Sequence, residues 1–444
     1  MAFHTLGCKL NYAETAAISK QFVERGFRIV EFGEPTDVFV LNTCTVTERT
    51  DRECRQLVRR ALRNSADACT IVVGCYAQLQ AEEIAAIDGV DFVLGSREKF
   101  SIFQHVEDFQ KRANAKIACS SILEATDFGP AFSGGSAGRT RAFLKVQDGC
   151  DYRCSFCTIP LARGASRSQS VETTVEQARD LVSRGYREIV LTGVNVGDYG
   201  RSEGTDLMSL LKRLEEIEEL RRIRISSIEP NLLTHDMINY IRRSHKICHH
   251  FHVPLQSGND YVLKLMRRRY LTNYYRDLIC AIREEIPDAG IGADVIVGFP
   301  GETEFHFDQT YRFLVDLPLS YLHVFTYSER PNTLAVNLPG SVEPATRARR
   351  SEMLRTLSVK KRRQFYESFV GRTISVLMEG TVEGNWRIGH TSHYVRVGIP
   401  MSSAQENDIV DVRVTGIDEL LCIGGIARDL LTQRLGESLV GVAA

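Results

Sequence analysis

The sequence predicts an α/β protein of three modules in series. Residues 1–125 read as a parallel sheet covered by helices on both faces (αβα), and residues 139–345 as a partial (β/α)6 TIM-like barrel. A basic connector helix at 346–370 leads to a small antiparallel β-barrel of OB-like layout at 371–434. Three observations carry this. Short apolar runs alternate with amphipathic stretches through the first two modules, the rhythm of parallel strands joined by helices. Six such units can be counted in the second, too few to close an eight-stranded TIM barrel. Beyond Thr373 the pattern changes to short alternating strands separated by turns such as Glu383-Gly384-Asn385, the layout of a small β-barrel.

In the first module strands are expected at Ala2 to Leu6, Phe27 to Phe32, Asp37 to Leu41, Thr70 to Val73 and Asp91 to Leu94. Helices are expected from about Tyr12 and through Arg55 to Leu62. Cys8, Cys44 and Cys75 each follow the carboxyl end of one of these strands. Open α/β sheets gather their ligands at that edge, so thiols distant in sequence are expected to converge there as a second cluster site. A Gly/Ser-rich stretch from Phe128 to Arg139 marks the module boundary.

In the middle module strands are expected at Arg141 to Val146, Glu188 to Gly193, Ile223 to Ile228, His250 to Pro254, Gly292 to Gly298 and Tyr321 to Tyr327. Directly after the first comes Gly149-Cys150-Asp151-Tyr152-Arg153-Cys154-Ser155-Phe156-Cys157. A structural zinc needs four nitrogen or sulfur ligands and this loop offers three thiolates, a set that suits a [4Fe-4S] cubane with one iron left open. An open iron can chelate the amino and carboxylate groups of S-adenosylmethionine and pass an electron into its sulfonium. Phe156 would turn an apolar face toward the adenine. The spacing resembles the radical-SAM signature; a zinc loop or buried free thiols is the plainer alternative.

Other candidates for contact with S-adenosylmethionine stand at the carboxyl ends of later strands: Thr192, Gly193 and Asn195, then Glu229, Gln256 and Gly298. The two glycines are expected to let backbone approach a nucleoside, and Asn195, Glu229 and Gln256 to hydrogen-bond its amino-acid and ribose ends. Each also reads as a turn or cap residue, and Glu302-Thr303 would open the next helix.

From Arg347 to Arg363 the chain carries eight Lys/Arg against one Glu. Arg349, Arg350, Lys360 and Lys361 are therefore candidate phosphate contacts, extended by Arg242-Arg243 and Arg267-Arg268-Arg269, with a solvated helix face as the alternative. In the last module Trp386, His393 and Tyr394 are expected to be exposed and able to stack unpaired bases. A plain β-barrel appendage is the alternative.

Composition sets bounds. Apolar content of 43% and charged content of 25% are those of an ordinary globular protein. A formal charge of −1 excludes a protein that coats nucleic acid by bulk electrostatics, so any RNA contact must be local. The start of the chain shows no signal sequence, and no stretch is apolar enough to span a bilayer; a cytoplasmic protein with no membrane contact is expected. There the 12 cysteines are expected as thiols rather than disulfides. Cys54, Cys69, Cys119, Cys248, Cys280 and Cys422, scattered singly, read as small buried apolar residues.

The cysteine loop, the second trio of thiols and the terminal β-barrel together resemble the methylthiotransferase family of radical-SAM enzymes over nearly the whole chain. The resemblance implies an auxiliary [4Fe-4S] cluster on Cys8, Cys44 and Cys75, a radical-SAM [4Fe-4S] cluster on Cys150, Cys154 and Cys157, and a substrate-binding TRAM domain at the C-terminal end. Thr5-Leu6-Gly7-Cys8-Lys9-Leu10-Asn11 is similar to the branch acting on N6-threonylcarbamoyladenosine at position 37, next to the tRNA anticodon. The isopentenyladenosine branch usually shows Gly-Cys-Gln-Met-Asn and the ribosomal-protein branch Gly-Cys-Pro-Lys-Asn. Gly74 to Gln78 and His323 to Ser328 also fit; at Arg330-Pro331-Asn332-Thr333 the family more often has a glycine before the threonine. The implied chemistry uses one S-adenosylmethionine as methyl donor to sulfur at the auxiliary cluster and a second as radical source, fed by a flavodoxin-like or ferredoxin-like electron donor. The partner implied is the tRNA anticodon loop, whose unpaired adenosine can be splayed out and read. An isopentenyladenosine tRNA enzyme and a non-catalytic, metal-containing RNA-binding protein are the rival readings.

Overall fold

The computed structural model describes residues 1–45, 48–125, 128–129, 131–132 and 140–427. Most of the linker from Phe128 to Arg139, and the last residues of the final module, lie outside the described residues.

The first module is a five-stranded sheet in the order β1 (Ala2–Thr5), β2 (Val38–Thr43), β3 (Cys69–Gly74), β4 (Phe92–Leu94) and β5 (Lys116–Ala118). Every neighbouring pair is parallel. β2 and β3 are buried throughout, as a sheet covered on both faces requires. Helix α1 (Lys9–Val23) starts at once after Cys8, and α2 (Glu48–Asn64) follows β2. The strand expected at Phe27 to Phe32 does not form; it leaves only isolated bridges, Val30 to Ala2 and Phe32 to Glu34. Phe27 instead packs edge-on against Phe22 of α1, with ring centroids 5.1 Å apart, so its aromatic side chain serves the core rather than a ladder. β5 is the strand the sequence did not disclose, three residues long and partly exposed.

All six strands expected in the middle module form. They are β6 (Arg141–Lys145), β7 (Glu188–Thr192), β8 (Arg222–Ile225), β9 (His250–His252), β10 (Gly290–Val297) and β11 (Tyr321–Thr326). Two parallel three-stranded sheets, β6 to β8 and β9 to β11, are joined by the parallel bridges Ile223 to Ile247 and Ser227 to His252. The result is a six-stranded curved sheet whose open side lies between β6 and β11. The first module spans that opening: α1 packs on β6, and Arg330, just past β11, donates to Thr45 Oγ1 at 2.7 Å.

The connector helix α3 (Pro344–Glu367) packs on β11. It leads into a closed barrel of β12 (Thr373–Glu383), β13 (Trp386–Thr391), β14 (Arg396–Pro400), β15 (Ile409–Asp418) and β16 (Leu421–Ile426), in the order β12-β13-β14-β16-β15. The expected antiparallel barrel is corrected in one place: β14 and β16 pair in parallel, Val397 with Cys422 and Gly398 with Ile423. Closure by a strand that arrives from the far side of β15 forces that direction.

Candidate functional site

Two trios of thiols lie on facing edges of the first two modules. In the first, each cysteine leaves the carboxyl end of β1, β2 or β3. Gly7 (φ +103) and Gly74 (φ +104) make the turns possible; a Cβ at Gly7 would meet Cys44 Cβ at 2.6 Å, and one at Gly74 would meet Thr43 O at 2.6 Å. Side chains lace the turns together. Asn11 Nδ2 donates to Leu6 O at 2.8 Å and Thr43 O at 3.0 Å, and Thr43 Oγ1 donates to Val73 O at 2.7 Å. Cys8 is exposed while Cys44 and Cys75 are buried.

In the second trio, Gln147-Asp148 and Arg167-Ser168 pair antiparallel and close the cysteine loop at its base. Gly149 (φ +69) allows the turn: a Cβ there would sit 1.9 Å from Ala165 O. Cys150 N donates to Gly164 O at 3.1 Å, and Cys157 N to Cys154 O at 3.1 Å. Ser155 anchors the loop tip to Leu265 O at 2.7 Å through Oγ.

An arginine reaches one sulfur in each trio. Arg163 Nε donates to Cys75 Sγ at 3.2 Å. The same guanidinium, 2% exposed, contacts Glu14 at 2.9 Å, Asp148 at 3.0 Å and Asn11 Oδ1 at 2.7 Å, so it ties the first module to the base of the cysteine loop. Arg268 Nη1 donates to Cys154 Sγ at 3.1 Å and its other arm pairs with Glu229. Burial pushes the Cys150 and Cys157 thiols up to about 12, and burial raises Cys75 and Cys154 against the opposing pull of their arginines. Thiolates so placed form when a cation shares them, which is what iron supplies.

The donor set fits cubanes better than a single ion. Among the described residues the one group of three His, Cys, Asp or Glu ligands within 4.8 Å of one another is His249, Asp288 and His393; neither cysteine trio is drawn that tight. Three thiolates spread more widely than that suit a cluster of spaced irons with one corner open.

A cavity of about 200 Å³ adjoins the second trio, lined among others by Phe156, Cys157, Gln256, Asp294, Phe325 and Tyr327. Gln256, with φ +73, holds the backbone turn there. Thr192 Oγ1, Ser226 Oγ and both polar atoms of Asn195 are buried at the carboxyl ends of β7 and β8 with no partner, as groups awaiting a polar ligand would be. Other candidates lie against neighbouring side chains. The space beside Gly298 is filled by Arg347, 2.3 Å from where a Cβ would lie, and that beside Gly193 by Gln147 at 3.0 Å, so neither missing side chain opens onto the cavity. Glu229 pairs with Arg268.

The basic strip divides into buried clamps and exposed cations. Arg350 is 2% exposed and bonds Glu302 at 2.6 Å; Arg349 is bidentate to Glu304 at 2.8 Å. Lys361 caps the helix ending near Asp316, donating to Leu317 O at 2.8 Å. Arg242 pairs with Glu285 at 3.2 Å. Lys360 remains exposed. Trp386 is half-buried against Gly398. His393 and Tyr394 face the middle module: Arg224 donates to Thr391 O at 2.9 Å and Ser392 O at 3.1 Å, and Tyr394 stacks on His250 with centroids 4.6 Å apart. Of the scattered cysteines, Cys280 is exposed and Cys119 half-buried; the others are buried as expected. Sequence reading missed Asp294, which bonds His252 Nε2 at 2.9 Å while His252 Nδ1 meets Ser227 Oγ at 2.7 Å. Its signal was a lone carboxylate inside an otherwise apolar strand.

A three-thiolate loop at the head of a six-stranded partial barrel defines a radical-SAM protein. The family model described as Radical SAM superfamily matches residues 144–314, and the one described as Uncharacterized protein family UPF0004 matches residues 1–95. The chain is 39% identical to a threonylcarbamoyladenosine tRNA methylthiotransferase of Bacillus subtilis, covering 93% of each. It is 38% identical to the one of Aquifex aeolicus, over 85% of this chain and 92% of that. It is 34% identical to a tRNA-2-methylthio-N(6)-dimethylallyladenosine synthase of Roseobacter denitrificans, over 92% of this chain and 95% of that. The fold is similar to that of a radical S-adenosylmethionine methyltransferase, TsrM, from Kitasatospora setae (TM-score 0.53, 13% identity, 75% of this chain and 76% of that). The chain thus belongs to the radical-SAM methylthiotransferase family, in its threonylcarbamoyladenosine tRNA branch.

Proposed function

We infer that this protein converts N6-threonylcarbamoyladenosine at position 37 of tRNA to its 2-methylthio derivative. The observation that carries this is full-length similarity, at 39% identity, to a relative bearing that activity's name. When bound, two [4Fe-4S] clusters and S-adenosylmethionine supply radical generation and the sulfur-bearing methyl donor. Cys150, Cys154 and Cys157 are proposed to hold the first cluster, and Cys8, Cys44 and Cys75 the auxiliary one. Thr192, Asn195, Ser226, Gln256 and Phe156 are proposed to position S-adenosylmethionine.

The remaining residues orient and seal. Arg163 and Arg268 each place a positive charge and an N–H donor on a cluster sulfur, favouring its thiolate form. The first module covers the open side of the barrel, with α1 against β6 and Thr45 against Arg330. The work is proposed to take place in the cytoplasm, with a flavodoxin-like or ferredoxin-like electron donor. Among the described residues no helix is long and apolar enough to cross a membrane.

The test is reconstituted enzyme presented separately with tRNA carrying threonylcarbamoyladenosine or isopentenyladenosine, followed by nucleoside mass spectrometry. Methylthio mass on the first supports the assignment; mass on the second alone overturns it. Cys150→Ala is expected to abolish cleavage of S-adenosylmethionine while leaving about half the iron in place, and undiminished 5′-deoxyadenosine would refute its ligand role.

A further inference from the structure

Lys9 follows Cys8 and is the first residue of α1. Its side chain crosses the seam between the first module and the barrel. The groups within electrostatic reach of its ammonium there are Tyr394, Arg141 and Arg224, together with His250 and His323.

The other cations in this space are satisfied. Arg224 holds Glu188 at 2.7 Å and Arg141 holds Glu379 at 2.8 Å. Asp294, the carboxylate facing His252 and His323, is bonded to His252 at 2.9 Å. Lys9 makes no hydrogen bond or ion pair with any described residue. Lys9 is half-buried, and an ammonium that shares this space with Arg141 and Arg224 and has no acceptor among the described residues gains when an anion arrives. There is room for one: His323 and Phe325 leave the same face of β11 and are both exposed, and Phe325 and Asp294 line the cavity beside the cysteine loop.

We propose that Lys9, flanked by His323, binds the carboxylate of the substrate's threonylcarbamoyl group and so selects an acidic modified adenosine over an uncharged one. The proposal rests on the substrate reading above. A prenylated adenosine would bring no charge to this ammonium, leaving it unpaired beside Arg141 and Arg224, so the same residue favours one substrate over the other.

The experiment uses reconstituted holoenzyme and fluorescent anticodon stem-loops carrying threonylcarbamoyladenosine, its carboxylate methyl ester or plain adenosine at one position, with affinity read by anisotropy. The native protein is expected to bind the acid about tenfold or more tighter than the ester, as a charge-assisted contact away from bulk water does. Lys9→Gln should shrink that ratio to within about twofold, Lys9→Arg should restore part of it, and iron and sulfide per chain should stay unchanged. Should Lys9→Gln disturb cluster loading through neighbouring Cys8, His323→Gln decides the matter by narrowing the same ratio with both clusters in place. A native protein indifferent to esterification, a Lys9→Gln protein that keeps the full ratio, or one weakened equally for all three RNAs overturns the proposal. A Lys9→Gln effect confined to the S-adenosylmethionine requirement overturns it too, reassigning the ammonium to that cofactor's carboxylate. Methylthiolation of threonylcarbamoyladenosine by the native protein with no acid-to-ester preference defeats the Lys9 assignment alone and leaves the substrate reading standing.

Discussion

Replacing Arg163 by Met tests whether the two cluster-bearing modules are held together from inside. The guanidinium makes bonds to Cys75 Sγ (3.2 Å), Glu14 Oε1 (2.9 Å) and Oε2 (3.1 Å), Asp148 Oδ1 (3.0 Å) and Asn11 Oδ1 (2.7 Å). Removing one partner of a buried ion pair costs about 3 to 5 kcal/mol. Here the acids keep some company. Lys99 remains 2.6 Å from Glu14, and Lys145 remains 2.7 Å from Asp148, so the lower end, about 3 kcal/mol, is expected. That energy belongs to the docking of α1 on the barrel, and amide hydrogen exchange reads it directly: protection in Lys9–Val23 should fall by about a hundredfold, since each 1.4 kcal/mol is roughly tenfold. Arg163→Lys should fall between, because it keeps the charge and loses the fork that reaches Cys75 and Asn11 together. Protection in α1 within about threefold of the native protein, with Arg163→Met, would refute the idea that this residue clamps the modules.

Gly149→Ala is expected to lose the radical-SAM cluster selectively, since φ +69 and an Ala165 carbonyl 1.9 Å from the new Cβ leave no room. Iron per chain should then drop by about half with the auxiliary cluster retained, and full loading would count against this account of the loop. Acid should release the terminal barrel. Glu188, held at about 2 by Arg224 and Arg141 against its burial, has a folded value below its unfolded one, so its stabilisation is complete above pH 4.5 and lost as pH falls through about 2. Fluorescence of the single tryptophan, Trp386, followed between pH 5 and 2, is expected to report that loss, and Glu188→Gln should show it already at neutral pH.

What sequence alone determined here was whatever is written locally. The spacing of Cys150, Cys154 and Cys157, the strand-end placement of Cys8, Cys44 and Cys75, and the six strand-helix units depend on residues a few positions apart, and all six strands formed where expected. Even the departure at Asn332 was local: it takes φ +65, the conformation that favours glycine. Tertiary structure alone decided which charges are free. Arg350 finds Glu302 across 48 residues and Arg163 finds Glu14 across 149, so a basic run that reads as a phosphate strip gives up Arg347 and Arg350 to internal clamps while Arg349, Arg355, Lys360 and Arg363 stay exposed. By the same distances Tyr394 is turned onto His250, β14 meets β16 in parallel, and Lys9 has no ion pair among the described residues. Periodicity fixes the phase of a helix or strand, whereas the partner of a long flexible cation is set by whichever carboxylate the folded chain carries to within a few ångströms of it.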